Sequence, residues 1–128
     1  MLSRFLNCFK TVLVVEDDPA LQKVLTTKLQ KKGYKTVTAS SGREVLIVVA
    51  QTCPAGIILD LMLPGQDGMS ILRQLRSPEV DYNKAVVVLT NLRGTAELRT
   101  EAESLQAQYF DKAHTPIDTV INALARAV

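Results

Sequence analysis

The sequence predicts an α/β fold, a doubly wound (βα)5 arrangement around a five-stranded parallel sheet. Short apolar, β-branched runs alternate five times with longer segments of helical period. Several of these runs are apolar at every position, the mark of strands covered on both faces. The length, 128 residues, suits one domain and leaves little room for a second. Strand-then-helix repeats of this kind build a parallel sheet through right-handed crossovers.

Thr11–Val15 (TVLVV) reads as a buried strand that ends in charge. Asp18 as N-cap and Pro19 at the first helical position open a helix. Leu21, Val24, Leu25, Lys28 and Leu29 continue it at helical spacing, and Gly33 stops it. Tyr34–Ala39 alternates like a strand, and Ser41 with Glu44 offers a capping box. The run Val45–Ala50 is β-branched enough to read as strand by propensity. It is assigned to a helix because successive parallel strands need a crossover between them.

Gly56–Asp60 (GIILD) is the third strand and Leu61–Asp67 a Pro/Gly loop. Gly68–Arg76 is helical, Val86–Thr90 (VVVLT) is the fourth strand, and Thr95–Gln106 is a polar amphipathic helix. Gln108–Asp111 is a short fifth strand. Thr115-Pro116 caps a last helix with Ile117, Val120, Ile121, Leu124 and Val128 on one face.

The net charge of +2, with acids and bases interspersed, gives no argument for direct nucleic-acid or membrane binding. Cys8 and Cys53 stand far apart without metal-ligand spacing, which argues against a disulfide scaffold or zinc site and fits a reducing, cytoplasmic setting. Both are expected to be inert, in keeping with the burial habit of free cysteine. No apolar stretch approaches the roughly 20 residues of a spanning helix. Residues 1–10 read as a surface-packed leader, too short and interrupted for a signal sequence, and residues 11–128 as the domain.

In open α/β sheets the binding crevice lies beyond the carboxyl ends of the strands. There the sequence places Glu16-Asp17-Asp18, Asp60, Thr90 and Lys112. Crowded carboxylates repel and stay ionised together only beside a cation. Lys112 is one candidate and a divalent metal the other. The ligands are all hard oxygens, which selects Mg2+ (or Mn2+). A carboxylate beside Mg2+ can attack phosphorus to give an acyl phosphate, with Lys112 and Thr90 on its equatorial oxygens.

VLVVEDDP at Val12–Pro19, ILDLMLPGQDG at Ile58–Gly68, VVVLT at Val86–Thr90 and YFDKA at Tyr109–Ala113 resemble the successive signature blocks of bacterial response-regulator receiver domains. The resemblance covers Thr11 to Val128 and implies the flavodoxin-like receiver fold. It implies Asp60 as phosphoacceptor, Asp17 as direct Mg2+ ligand, Glu16 as ligand through water, and the Met62 backbone carbonyl as a further ligand. Lys112 would pair with Asp60 and then with the phosphoryl oxygens, and Thr90 would hydrogen-bond the phosphoryl group. Tyr109 would be the aromatic switch coupled to Thr90, and Pro64 and Gly68 would shape the loop after the acceptor.

A histidine kinase or histidine phosphotransfer protein would be the donor, and a protein target would read helix 95–106, the last strand and the last helix. Such a molecule is a signalling switch whose only catalysis is its own phosphorylation and slow dephosphorylation. No effector domain follows Val128, so the chain reads as a stand-alone receiver or a piece of a longer one.

The chain departs from the family pattern at Asn91, where a small residue is usual, and at Ala113, where a cis proline is usual. Asp111 replaces an apolar strand residue, and Met62 and Leu92 are apolar beside the site. Asn91 and Ala113 are the grounds for an alternative, a phosphate-independent pseudo-receiver that works as a protein-binding module. An aspartyl phosphatase would need a carboxylate where Met62 stands. An FMN-binding fold would suffer repulsion of its phosphate by Glu16-Asp17-Asp18. His114 reads as a solvated loop residue.

Overall fold

The strands of the sheet take the residues expected of them and pair in one direction only. The structure, a computed structural model, describes residues 10–91 and 96–128. All of the leader but Lys10, with Cys8, Leu92 and the expected helix start at Thr95, therefore falls outside the described residues. Strands β1 (Thr11–Val15), β2 (Lys35–Ala39), β3 (Gly56–Leu59), β4 (Ala85–Thr90) and β5 (Ala107–Asp111) form a five-stranded sheet in the order β2-β1-β3-β4-β5. All its pairings are parallel, from Val12 beside Gly56 to Thr90 beside Asp111. The order reverses after β2, so the switch point falls between β1 and β3.

Five helices cover the two faces: α1 (Pro19–Lys31), α2 (Gly42–Thr52), α3 (Gly68–Arg76), α4 (Ala96–Ser104) and α5 (Ile117–Ala127). Alternation along each strand divides the core. Leu13, Val15, Ile57, Leu59, Val86 and Val88 pack against α2, α3 and α4. Val12, Val14, Ile58, Val87 and Leu89 pack against Leu25 and Leu29 of α1 and Val120, Ile121 and Leu124 of α5. The doubtful run Val45–Ala50 lies in α2, where Val45 and Val49 are buried four apart, so tertiary packing outweighs its strand propensity.

Local signals hold with some corrections. Asp18 caps α1, accepting from the Ala20 amide at 3.0 Å, with Pro19 at the start. Ser41 caps α2, but only half of the expected box forms. Its hydroxyl accepts from the Glu44 amide at 3.4 Å, while the Glu44 carboxylate meets that hydroxyl rather than a backbone amide. The cap of α5 is Pro116 with no side-chain hydrogen bond, so Thr115 does not cap it. Its backbone carbonyl accepts from Thr119 and Val120 instead. Cys53 ends α2 in the left-handed conformation at φ 43° and is exposed, against the expectation of a buried thiol.

The segment Leu61–Asp67 is more ordered than a loop. Met62–Leu63 and Gln66–Asp67 pair antiparallel across Pro64-Gly65, with Gly65 at φ +71°, the sign that the third position of a type II turn demands. Asp67 then caps α3 through the Met69 amide at 3.0 Å. Gly68 is required by proximity: a Cβ there would lie 2.3 Å from the Leu61 Cα. Its amide donates to the Leu61 carbonyl at 3.0 Å, closing the loop that carries the acceptor candidate.

Candidate functional site

Glu16, Asp17, Asp60, Thr90 and Lys112 follow or end β1, β3, β4 and β5, and the parallel register brings those ends to one edge of the sheet. Asp60 lies one residue past β3, and its amide donates to the Val15 carbonyl at 3.0 Å. That bond continues the ladder between β1 and β3 into the crevice. Glu16 is held likewise on the other side, its amide donating to the Ala39 carbonyl at 3.1 Å. Asp60 is 3 % exposed, Glu16 2 % and Thr90 0 %, while Asp17 is open to solvent.

Carboxylate oxygens of Glu16, Asp17 and Asp60 all lie within 4.8 Å of one another. The Lys112 ammonium spans the two buried ones, donating to Glu16 Oε1 at 2.7 Å and Asp60 Oδ2 at 2.8 Å. The remaining oxygens are partly used: Glu16 Oε2 accepts from the Asp18 amide at 3.1 Å and Asp60 Oδ1 from the Met62 amide at 2.9 Å. Burial pushes the Glu16 carboxyl above the usual carboxylate range, and the Lys112 and Asp18 hydrogen bonds only partly offset this. Burial works against the charge on Lys112, but its hydrogen bonds to Asp60 and Glu16 outweigh it and hold the ammonium above its ordinary value. Three crowded hard-oxygen ligands, two buried and one facing water, suit a hard divalent cation that keeps part of its hydration shell.

Thr90 ends β4 on the face of the sheet that also carries Val88, and its carbonyl accepts from the Lys112 amide at 3.0 Å. Tyr109 of β5 stands opposite Val88, so Thr90 and Tyr109 share a face on adjacent strands, two register positions apart. The Tyr109 ring is buried, with the Arg99 guanidinium 4.9 Å from its centroid. Arg99 also donates to the Tyr109 carbonyl at 3.4 Å. Met62 is half exposed beside Asp60 and Asn91 is exposed after Thr90.

Sequence reasoning missed two residues. Asp111 was read only as a departure, yet its carboxylate accepts from the Ala113 amide at 2.9 Å and lies 3.0 Å from His114 Nδ1. His114 is solvated as expected but has this acid beside it. The signal was an aspartate two residues before a free amide, the spacing of an Asx turn. The peptide bond between Lys112 and Ala113 is trans, and the ammonium still reaches both carboxylates. Arg76 donates to the carbonyls of Tyr82, Lys84, Leu105 and Gln106. Nothing in the sequence separates it from any basic residue in a last helical turn.

Among the described residues no helix is long and apolar enough to cross a membrane. Over residues 12–121 the chain matches the model of the response regulator receiver domain. It is 35% identical over 115 residues to the DNA-binding response regulator MtrA of Mycolicibacterium smegmatis, covering 90% of this chain and 49% of that protein. The chain spans about half the length of the curated relatives it matches. Among solved structures, the Francisella response regulator 1452 receiver domain aligns with a TM-score of 0.81 at 29% identity, over 92% of this chain and 95% of that one. The BeF3-activated receiver domain of Klebsiella pneumoniae RstA gives 0.79 at 30%, over 91% and 97%. TrrA of Thermotoga maritima, in complex with Mg2+-BeF, gives 0.77 at 26%, over 93% and 99%. With the same fold as these receiver domains and a family match over most of its length, this chain belongs to the response regulator receiver domain family.

Proposed function

We propose that residues 11–128 form a phospho-accepting receiver in which Asp60 takes a phosphoryl group from a histidine kinase or histidine phosphotransfer protein. The observation that carries this reading is the buried Asp60 carboxylate, within 4.8 Å of Glu16 and Asp17 and 2.8 Å from the Lys112 ammonium. A carboxylate oxygen of Asp60 attacks phosphorus as the bond to the donor imidazole breaks, and the imidazole leaves with that electron pair. Lys112 moves its hydrogen bonds onto the phosphoryl oxygens, and Thr90 donates to another. Asp17, Asp60 and the Met62 carbonyl would hold Mg2+ directly and Glu16 through water. When bound, the ion offsets the charge on the transferring group.

The dianion at Asp60 then draws Thr90 toward it, and Tyr109 follows on the same face of the sheet. That biases the surface of α4, β5 and α5 between two states, the surface a downstream protein target would read. The charge pattern and the absence of an apolar span among the described residues support a cytoplasmic switch that touches neither nucleic acid nor membrane with this domain. Output on DNA, as in the DNA-binding relative, would belong to another part of a longer chain.

Acetyl phosphate with Mg2+ should add one phosphoryl group to the wild type, read by intact mass, and none to Asp60→Asn. A wild type that takes up no phosphate from any small donor would favour the phosphate-independent binding module.

A further inference from the structure

We propose that Asp111 is a positioning residue for Lys112: its carboxylate ties the turn that aims the ammonium at Glu16 and Asp60. The proposal rests on the reading of Asp60 as acceptor and assigns Asp111 a part in that same site.

Lysine is a poor anchor on its own, because its four-carbon stem is flexible and loses much rotamer entropy when one geometry is imposed. Here the ammonium meets two carboxylates from different strands at 2.7 and 2.8 Å, so the backbone beneath it must be well placed. On one side that backbone is held by the Lys112 amide, which donates to the Thr90 carbonyl at 3.0 Å. On the other side Asp111 holds it at three points. Its Oδ1 accepts from the Ala113 amide at 2.9 Å, its carbonyl accepts from the His114 amide at 3.2 Å, and its Oδ2 lies 3.0 Å from His114 Nδ1.

Alanine at 113 is what makes this possible, since a proline has no N–H to give. The two departures from the family pattern are thus one device: the amide freed at position 113 is taken up by the acid at position 111. Removing the carboxylate leaves the Ala113 amide to water and frees the segment from which the lysine stem departs. A misplacement of about 1 Å at a reacting site is enough to cost a large factor in rate.

The test is a double-mutant cycle on the full chain, read as the rate of labelling by acetyl phosphate with Mg2+ and, in parallel, as melting temperature. Asp111→Ala should label about tenfold more slowly than wild type. Asp111→Asn, whose amide oxygen accepts the same bond, should stay close to the wild-type rate. In a Lys112→Ala background, Asp111→Ala should slow labelling no further. Labelling of Asp111→Ala at the wild-type rate, or equal slowing in both backgrounds, would overturn the proposal, since a merely structural acid acts regardless of Lys112. If Asp111→Ala does not fold, Asp111→Ser, a weaker acceptor of the same bond, takes its place in the cycle. A wild type that takes up no phosphate sinks the acceptor reading, and the melting cycle then decides for Asp111. Losses that add in the double variant overturn the proposal, and losses smaller than the sum support it.

Discussion

Glu16 is a buried carboxyl 2.7 Å from a lysine, and its surroundings pull its proton affinity in opposite directions. Burial raises it, the lysine lowers it, and the charge of Asp60 raises it again. Asp17 adds a third acid in water on the open side. Mg2+ binding only the folded site should therefore raise the melting temperature, by about 2.7 kcal/mol of stability at 100-fold excess over its Kd. Asp17→Ala should lose that response while melting at or above the metal-free wild type, because like-charge repulsion is relieved. A full Mg2+ response in the variant would remove Asp17 from the ligand set. Tyr82 gives a second residue-scale prediction. Its hydroxyl is buried and donates to the Pro54 carbonyl at 2.8 Å, and burial raises its ionisation above the ordinary value. The stability it contributes is complete below the free tyrosine pKa of about 10 and falls as pH climbs toward the raised folded value. With stability followed by denaturant unfolding from neutral to alkaline pH, Tyr82→Phe should remove that loss while costing about 1 kcal/mol at neutral pH. An equal alkaline loss of stability in Tyr82→Phe and the wild type would contradict this. At this scale the meeting of Asp60 and Lys112 was legible, because strand-end positions in a parallel sheet fall on one edge. Asp111 and Arg76 were not, because their roles are fixed by which backbone groups the fold delivers to them.

The element most exposed to a single change is the start of α3. Gly68 meets the Leu61 backbone so closely that a Cβ would fall 2.6 Å from its carbonyl oxygen. Main chain gives way less readily than the end of a flexible side chain. Gly68→Ala should thus cost about 1–3 kcal/mol, the range of overpacked sites, and disturb the loop that runs back to Asp60. Denaturant unfolding checks this, and a variant as stable as wild type would show that the loop can move aside. The same region shows where sequence reading stops. A Pro/Gly cluster announces a turn, but the ribbon of Met62–Leu63 with Gln66–Asp67 has too few residues to show a period. Strand interiors were legible through their apolar runs, and the ends shifted by a residue: β3 stops at Leu59, β4 begins at Ala85 and β5 at Ala107. Capping signals named the starts of α1 and α2 but not that of α5, where the proline alone stands at the cap.

Across the whole molecule, Arg76 fastens the end of α3 to the segment before β4 and to the turn after α4. It does so by four carbonyl contacts and a guanidinium 6.0 Å from the Tyr82 ring centroid. Lysine has the charge but not the planar fork. Arg76→Lys should therefore lower stability by about 2 kcal/mol, since partly buried carbonyls lose their donors. An unchanged denaturation midpoint would mean that water replaces the fork without loss. The sheet order and the division of the core were open to sequence reasoning as a class of fold, since alternating strands and helices leave few topologies. The ties between segments distant in sequence were not. One feature at the opposite edge bears on how a signal could travel. The Val128 side chain lies over Gly56, so that a Cβ there would sit 3.1 Å from it, and the Ala55 amide donates to the Thr11 carbonyl at 2.7 Å. The start of β1 and the end of α5 thus meet at the beginning of β3, four residues and about 13 Å of strand from Asp60. Any module joined beyond Val128 would begin at the far pole from Asp60, so it could sense a change at that carboxylate only by relay. By the same geometry, a short linker between these two points would make a circular permutant whose new ends could be opened elsewhere with the carboxylate edge left whole.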